Sequence, residues 1–286
     1  MYIAAASIGA VLGGLFLVGA VVTIGMYILA WYDHVNFCNE ADCPGWRRKI
    51  RPFFIVLGVA MENLAMFVSL VTYPFRFYLD RLPLRVADDG KYPVLCVHGW
   101  GMASHAFIPI RLMLGRMGYR NIFSITVRPV TAPVEVLAGK VANRIDEVLE
   151  KTGAEKVTLI THSMGGVLAR YALKNLGAAG KVDKVITLGG PHMGSRVAVM
   201  CPVGRNTLQF TYKSAMNREL AKDGGLTPGG ASYTSIYSMF DNAVLPPDSS
   251  DLGPNAKNLL VPWHGHVALL YSPWVLRHIA DEMRGA

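Results

Sequence analysis

The first 32 residues contain no charged side chain, and only 17% of all residues are charged. With 52% hydrophobic residues and a mean hydropathy of +0.31, the chain does not have the composition of an ordinary soluble enzyme. As one helix, residues 3–31 would rise roughly 44 Å, which exceeds the ~30 Å hydrocarbon core of a bilayer. No basic segment precedes this stretch, which disfavours a cleavable signal peptide, the alternative interpretation. We therefore predict a retained transmembrane helix over residues 1–32.

Cysteine is scarce, and its spacing indicates no metal site. The chain has four cysteines, with no Cys-x-x-Cys pair and no His/Cys cluster. We predict no metal and no cofactor. Cys38 and Cys43 are close enough in sequence to form a disulfide, which would indicate an oxidising compartment. Basic residues at 47–51 favour a cytoplasmic flank by the positive-inside rule. The side of the membrane therefore stays open.

The charge balance is basic, at +8, but its pattern does not indicate nucleic-acid binding. The soluble part lacks a stripe of Lys and Arg interleaved with aromatics. Attraction to anionic lipid head groups suits a basic chain beside a membrane span better. Within the first apolar segment, Gly9 and Gly13 form a GxxxG pattern, which is compatible with a homodimer through this helix. The alternative is the ordinary abundance of glycine in membrane spans.

A second apolar segment covers residues 53–73, and Glu62 and Asn63 interrupt it. Its eleven Phe, Ile, Val and Leu residues favour membrane insertion by roughly −3 to −7 kcal/mol, whereas a central acid costs around +3 kcal/mol. Residues 74–81 then mix aromatics with arginines, as interfacial segments do. A second span and an amphipathic helix on the bilayer surface are both compatible with this pattern, and we favour the surface helix.

From residue 91 onward, short apolar runs alternate with helical patterns. Continuously apolar runs are typical of strands buried on both faces of a parallel sheet. Such alternation predicts an α/β fold, a three-layer sandwich with a mainly parallel sheet. The alternation fails between residues 190 and 232, where we expect a cap or lid at about 191–232. The predicted strands are 94–97, 122–127, 157–160, 182–188, 233–237 and 259–261, and the predicted helices are 107–114, 134–151, 165–176 and 273–283.

The sequence Thr-His-Ser-Met-Gly-Gly at 161–166 follows the apolar run 157–160. A strand that enters a tight turn of small residues and leaves as a helix is a nucleophile elbow, with the serine at its tip. Ser163 is therefore the predicted nucleophile. Thr161 departs from the Gly-x-Ser-x-Gly pattern, because a β-branched residue replaces the first glycine. The alternative, a serine that only caps the following helix, does not explain the combination of strand, turn and helix.

A serine hydroxyl needs a neighbouring base, and the base needs an orienting carboxylate. His266 follows the last predicted strand, and Asp241 follows the strand before it. The chain order Ser, Asp, His is that of α/β-hydrolases. His264 is a competing base two residues away. Asp248 and Asp251 are alternative acids.

The oxyanion of an acyl-transfer intermediate needs two preorganised donors, usually backbone N–H groups. We assign them to Met164, which follows the nucleophile, and to Trp100, which lies between two glycines after the first buried strand. Three further histidines flank glycine turns or the elbow and are interpreted as structural: His98, His162 and His192.

These motifs resemble those of bacterial triacylglycerol lipases and esterases of the α/β-hydrolase superfamily, especially the membrane-anchored branch. The resemblance covers roughly residues 92–279 and rests on the segments 97–101, 161–166, 188–195, 234–241 and 265–272. It implies hydrolysis of acyl glycerols or phospholipids, with a triad of Ser163, Asp241 and His266 and with Trp100 and Met164 as oxyanion donors.

The sequence thus predicts a membrane-anchored serine hydrolase whose substrates are acyl esters of lipids. The expected domains are a transmembrane helix at 1–32, a juxtamembrane segment at 33–90 and a catalytic domain at 91–286. The expected location is the bacterial inner membrane, and we favour the periplasmic side. A lipid acyltransferase or a thioesterase with the same triad stays an alternative, as does a non-catalytic binding protein with a hydrolase fold.

Overall fold

The computed structural model describes residues 2–37, 52–81, 86–200, 204, 206–222 and 227–285. Cys38 and Cys43, the two cysteines close enough in sequence for a disulfide, and the basic segment 47–51 lie outside the described residues.

Within the described residues, six parallel strands form one sheet in the order β2-β1-β3-β4-β5-β6. This confirms the predicted α/β class. β2 ends two residues earlier than predicted, β3 continues two residues further, and β6 begins two residues earlier. The strands are β1 Val94–Val97, β2 Ile122–Ile125, β3 Val157–His162, β4 Val182–Leu188, β5 Ser232–Tyr237 and β6 Lys257–Leu260.

Helices cover both faces of the sheet, which confirms the three-layer sandwich. Strand residues alternate between two apolar cores: Leu95 packs in the core beneath α5 and α6, and Cys96 packs in the core beneath α4 and α9. Among the described residues of the predicted cap at 191–232, α-helix is confined to the short α7 and α8. The α-helices are α1 Tyr2–Phe37, α2 Pro52–Thr72, α3 Arg76–Leu79, α4 Ile108–Arg116, α5 Val134–Thr152, α6 Met164–Asn175, α7 Val197–Met200, α8 Ala215–Ala221 and α9 Pro273–Arg284.

The two apolar segments form an antiparallel hairpin of α1 and α2. The ring of Phe16 meets that of Phe67 at 5.7 Å between centroids. Further along α1, Gly19 lies against Asn63, which precedes Phe67 on α2. The first helix continues past the charge-free stretch to residue 37 and has a length of about 54 Å.

The hairpin also docks on the catalytic domain. Asp33, near the end of α1, forms two bonds of 2.5 and 2.9 Å to the guanidinium of Arg196. On α2, the ring of Phe54 stacks on Trp263 at 4.3 Å between centroids, with an interplanar angle of 8°. Asp33 therefore lies inside α1 and not at its end, and its charge is balanced there by Arg196 of the catalytic domain.

The outward surface of the hairpin is apolar. Val21 on α1 and Val56 on α2 are 72% and 69% exposed. Residues 7–37 and 53–79 are long and apolar enough to cross a membrane, a property that an N-terminal signal sequence also shares. A Cβ placed on Gly9 or Gly13 would meet no described atom of another segment within 4 Å. Dimerisation through this face is not tested by the structure of one chain.

Breaking the pair of Asp33 and Arg196 should loosen the hairpin. Asp33→Asn removes the charge of a buried carboxylate, which is 4% exposed, and leaves the partly buried Arg196 guanidinium, 21% exposed, without its acidic partner. We expect a loss of about 1.5–3 kcal/mol, the range for hydrogen bonds to charged groups. Thermal unfolding in detergent measures this loss. The charge-swapped double variant Asp33→Arg with Arg196→Asp should recover part of it, and an unchanged melting temperature in Asp33→Asn would contradict the docking role of this pair.

Candidate active site

Ser163 lies at the tip of the turn between β3 and α6. Its backbone adopts φ 55° and ψ −126°, a conformation that is rare for residues other than glycine and is typical of a strained elbow. The Ser163 N–H donates to Leu188 O at 2.9 Å, and its carbonyl accepts from Gly166 N at 2.9 Å. These bonds hold the elbow in the form that the sequence predicted.

Two glycines allow the elbow to approach β1 closely. A Cβ at Gly165 would lie 2.2 Å from the carbonyl oxygen of Val97, and a Cβ at Gly99 would lie 2.6 Å from the Cβ of Ser163. Both distances are far below contact, so these positions require glycine. Thr161, the departure from the usual pattern, is fully buried, and its hydroxyl donates to Ile186 O at 3.4 Å.

The structure pairs the predicted acid with the predicted base. His266 Nδ1 donates to Asp241 Oδ2 at 2.8 Å. The other carboxylate oxygen of Asp241 accepts from the backbone N–H groups of Ala243 and Val244 at 2.8 and 2.9 Å. The carboxylate thus accepts three hydrogen bonds, and His266 lines the same cavity as Ser163.

The competing residues take other partners. His264 Nε2 bonds to Ser272 Oγ at 2.6 Å, and the same oxygen caps the first turn of α9. Asp251 accepts from the Tyr237 hydroxyl at 3.1 Å. Asp248 lies in a short 3-10 turn after β5. Among the described residues, only Asp241 is bonded to a ring nitrogen of His266.

The predicted oxyanion donors lie in two turns at the cavity that Ser163 lines. Met164 is the first residue of α6, and the first N–H groups of a helix have no partner within it. Trp100 lies in a tight turn closed by a bond of 3.3 Å from Met102 N to Gly99 O, in which Gly101 has φ 72°. Both Trp100 and Met164 line the same cavity as Ser163.

The electrostatic environment separates His266 from the other buried histidines. Burial lowers the pKa of His266, but the charge of Asp241, its hydrogen bond and the charge of Glu62 outweigh burial and raise this pKa above the usual histidine value. Burial lowers the pKa of His98 to about 4. Burial also holds the pKa of His162 and His192 well below the usual value.

The three histidines interpreted as structural are buried and bonded. His98 Nε2 accepts from Val127 N at 2.9 Å. His192 Nε2 is 3.0 Å from Thr187 Oγ1. His162 Nε2 donates to the carbonyl of His266 at 3.1 Å, so it supports the backbone of the predicted base.

A cavity of about 750 Å³ lies above Ser163. Its floor is the carboxyl edge of the sheet, as expected for ligand sites in parallel α/β folds. The cap region contributes one wall, which includes Val197 and Phe210. The hairpin forms the roof, through residues Leu15, Val22, Met26, Met66, Ser69 and Leu70. The two apolar segments are therefore part of the site.

A comparison with known protein families identifies the chain. The profile of the palmitoyl protein thioesterases matches residues 93–243, more than half of the 286 residues. The chain belongs to the palmitoyl protein thioesterase family. The matched region includes Ser163 and Asp241, whereas His266 and the hairpin lie outside it. The family is consistent with the α/β-hydrolase superfamily that the motifs predicted.

Solved structures show the same fold at low identity. Lipase B of Aspergillus fumigatus is 20% identical with a TM-score of 0.64, over 73% of this chain and 56% of that protein. The mature lipase BlEst2 of Bacillus licheniformis is 19% identical with a TM-score of 0.60, over 70% of this chain and 95% of that protein. The chain thus spans little more than half the length of the fungal lipase.

Two residues near the base have partners that the sequence did not predict. Asn242 Oδ1 accepts from His266 N at 3.0 Å. Glu62 of α2 accepts from Val267 N and Ala268 N at 3.0 and 2.7 Å. Asn242 directly follows the predicted acid, which is the only sequence signal for it. A lone acid in an apolar helix is a signal of function in membrane segments.

The raised pKa of His266 makes a prediction for the pH dependence of activity. A general base works only when neutral, so kcat/KM should fall as the pH drops through the pKa of His266. Because this pKa is raised, the midpoint should lie above the ordinary histidine value of about 6.5. Hydrolysis of a neutral ester, followed from about pH 5 to 9, measures it. A midpoint below the ordinary value would contradict the assignment.

Proposed function

We propose that the protein is a membrane-anchored serine hydrolase that cleaves long-chain acyl esters of lipids through an acyl-enzyme on Ser163. The observation that carries this proposal is the placement of Ser163 and the His266–Asp241 pair on one apolar cavity. A fold alone does not define a reaction, whereas a nucleophile, a base and an orienting acid in one site do so for acyl transfer.

In the first step, His266 takes the proton of the Ser163 hydroxyl, and Oγ forms a bond with the ester carbonyl carbon. The oxyanion is stabilised by the N–H groups of Met164 and Trp100. The intermediate collapses, and the departing alcohol oxygen takes the proton from His266. Water then gives a proton to His266 and attacks the acyl carbon. As this second intermediate collapses, the bond from the acyl carbon to Ser163 Oγ breaks, His266 returns the proton to Oγ, and the fatty acid leaves. Asp241 holds the imidazole in one orientation throughout.

The cavity suits the acyl chain of the substrate. Pockets of roughly 300–1,000 Å³ with mainly apolar linings are typical of small-molecule sites, and this cavity has about 750 Å³. Each buried methylene contributes about 0.8 kcal/mol. An acyl chain that lies between the hairpin and the predicted cap would therefore bind more tightly with each carbon atom that enters the cavity.

The hairpin is the proposed membrane anchor. Its outward face is apolar, and its inward face roofs the cavity. A lipid acyl chain would then pass from the bilayer to Ser163 along the apolar surface of the hairpin. The catalytic domain at 91–286 lies beside the membrane in this arrangement, with the predicted cap at 191–232 next to the cavity.

Hydrolysis of long-chain acyl thioesters is a second candidate function, and the family match favours it. The same residues serve both reactions, because a thiolate replaces the alcohol as leaving group. A thioester carried on a membrane-bound partner would present its acyl chain to the cavity in the same way.

Replacing the nucleophile tests the proposal. Ser163→Ala should lower kcat by roughly 10⁴-fold or more, since removal of a triad nucleophile leaves only oxyanion and binding effects. Purified protein in detergent is assayed with palmitoyl esters, a palmitoyl thioester and a phospholipid. Ser232→Ala, at an exposed serine of β5, is the matched control. Activity retained in Ser163→Ala would contradict the mechanism, and the preferred substrate decides between ester and thioester.

Narrowing the roof tests the site of the acyl chain. Leu70 lines the cavity from α2, so Leu70→Trp should lower kcat/KM for long-chain esters roughly tenfold, the equivalent of about two buried methylenes. Short-chain esters should be hydrolysed as before. Leu64→Trp, on the same helix at a position that is 57% exposed, controls for the added ring. Equal losses for short and long chains would place the acyl chain elsewhere.

A further inference from the structure

The second apolar helix contacts the loop that carries His266 along one face. Phe54 stacks on Trp263. Gly58 approaches the same loop so closely that a Cβ would lie 2.8 Å from Trp263 O. Glu62 accepts from Val267 and Ala268. Positions 54, 58 and 62 are each four residues apart, which places them on one face of a helix.

This loop is strained and needs external support. Trp263 has φ 58°, an unusual value for a bulky residue. Strained backbone persists only where the surroundings fix it. The surroundings on this side are α2, since the ring and the carbonyl of Trp263 both contact it.

Glu62 is the one acidic side chain of α2, and it is 1% exposed. Its two oxygens accept one N–H group each, from the two residues directly after His266. These N–H groups begin a short 3-10 turn at Ala268–Leu270, so they lack partners within the turn. Without Glu62 both would be buried donors without an acceptor, which is costly.

The fit at Gly265 shows how closely the hairpin meets the loop. A Cβ at Gly265 would lie 2.5 Å from Glu62 Oε2 and 2.7 Å from the Tyr27 hydroxyl. Both helices of the hairpin therefore reach the residue before His266. Only glycine allows this approach.

From this geometry we infer that Glu62 is a positioning residue for His266. The docked hairpin would then complete the active site in addition to anchoring the protein in the membrane. The imidazole is fixed by Asp241, and the His266 backbone is fixed by Asn242 and His162 on one side. Glu62 fixes the chain on the other side. The inference rests on the proposed function, because it assigns His266 the role of base.

The test compares full-length variants in detergent. Glu62→Gln keeps the size of the side chain but turns one acceptor into an NH₂ donor, so one of the two loop N–H groups loses its partner. We expect kcat for a palmitoyl ester to fall roughly 10- to 100-fold. KM should stay within about twofold of the original, because Glu62→Gln hardly changes the shape of the cavity that Glu62 also lines. Glu62→Asp retains both acceptors and should recover part of kcat.

Asn63→Ala is the matched control. Asn63 is the next residue on α2, but it faces Gly19 of α1, so its loss should leave kcat unchanged. The inference is overturned if Glu62→Gln retains full kcat, or if Asn63→Ala loses as much. It is also overturned if Glu62→Asp is no better than Glu62→Gln. If Glu62→Gln does not fold, kcat of Glu62→Asp is compared with kcat of Asn63→Ala. A lower kcat in Glu62→Asp supports the inference, and equal values overturn it.

A second readout separates this inference from the proposed function. The rate at which a fluorophosphonate labels Ser163 depends on the base but not on the ester chosen. If the unaltered protein is labelled but hydrolyses no ester or thioester, the proposed function fails, and the labelling rates of the variants still decide the role of Glu62. If the unaltered protein is not labelled at all, both are overturned.

Discussion

Buried backbone N–H groups must find acceptors, and this constraint connects the two parts of the molecule. The loop after β6 carries two such groups, on Val267 and Ala268, into the interface between hairpin and sheet. Their acceptor is the Glu62 carboxyl group, which lies in the middle of a largely apolar helix. An acid at that position is costly in a membrane helix, and the two hydrogen bonds explain how the fold accommodates it.

The same interface forms the cavity. Because α2 packs on the loop of His266 and α1 packs on α2, the roof of the site consists of the segments with the most membrane-like composition. In the proposed function, substrate binding and membrane anchoring therefore use opposite faces of one hairpin. This arrangement would shorten the path of an insoluble acyl chain from the bilayer to the nucleophile.

The family match covers residues 93–243, and the neighbouring structures show that the sheet and its helices are a widely used fold. The hairpin lies outside the matched region. It contacts the catalytic part of the chain through the ion pair of Asp33 with Arg196 and through the two bonds that Glu62 accepts. We therefore expect the specificity of the protein to depend on the hairpin, whereas the chemistry belongs to the sheet edge.

The sequence by itself determined the sheet and the elbow, because both follow from local patterns. Buried parallel strands appear as continuous apolar runs, such as residues 94–97, and the turn around Ser163 needs small residues in a fixed order. The pairing of Asp241 with His266 was also predictable, since both follow adjacent strands and parallel strands end at one edge. Helix ends were less predictable: α1 continues to residue 37 because Asp33 finds a partner 163 residues away.

Only the tertiary structure decided what the apolar segments do. A hydropathy scale assigns Glu62 a cost of membrane insertion, because it scores each residue by its transfer to the bilayer and ignores contacts within the protein. The partners of Glu62 lie 205 and 206 residues further along the chain, and no local pattern encodes such a distance. The sequence also left the base open between His264 and His266, because both follow β6. Only the packed structure directs the ring of His264 to Ser272 and the ring of His266 to Asp241.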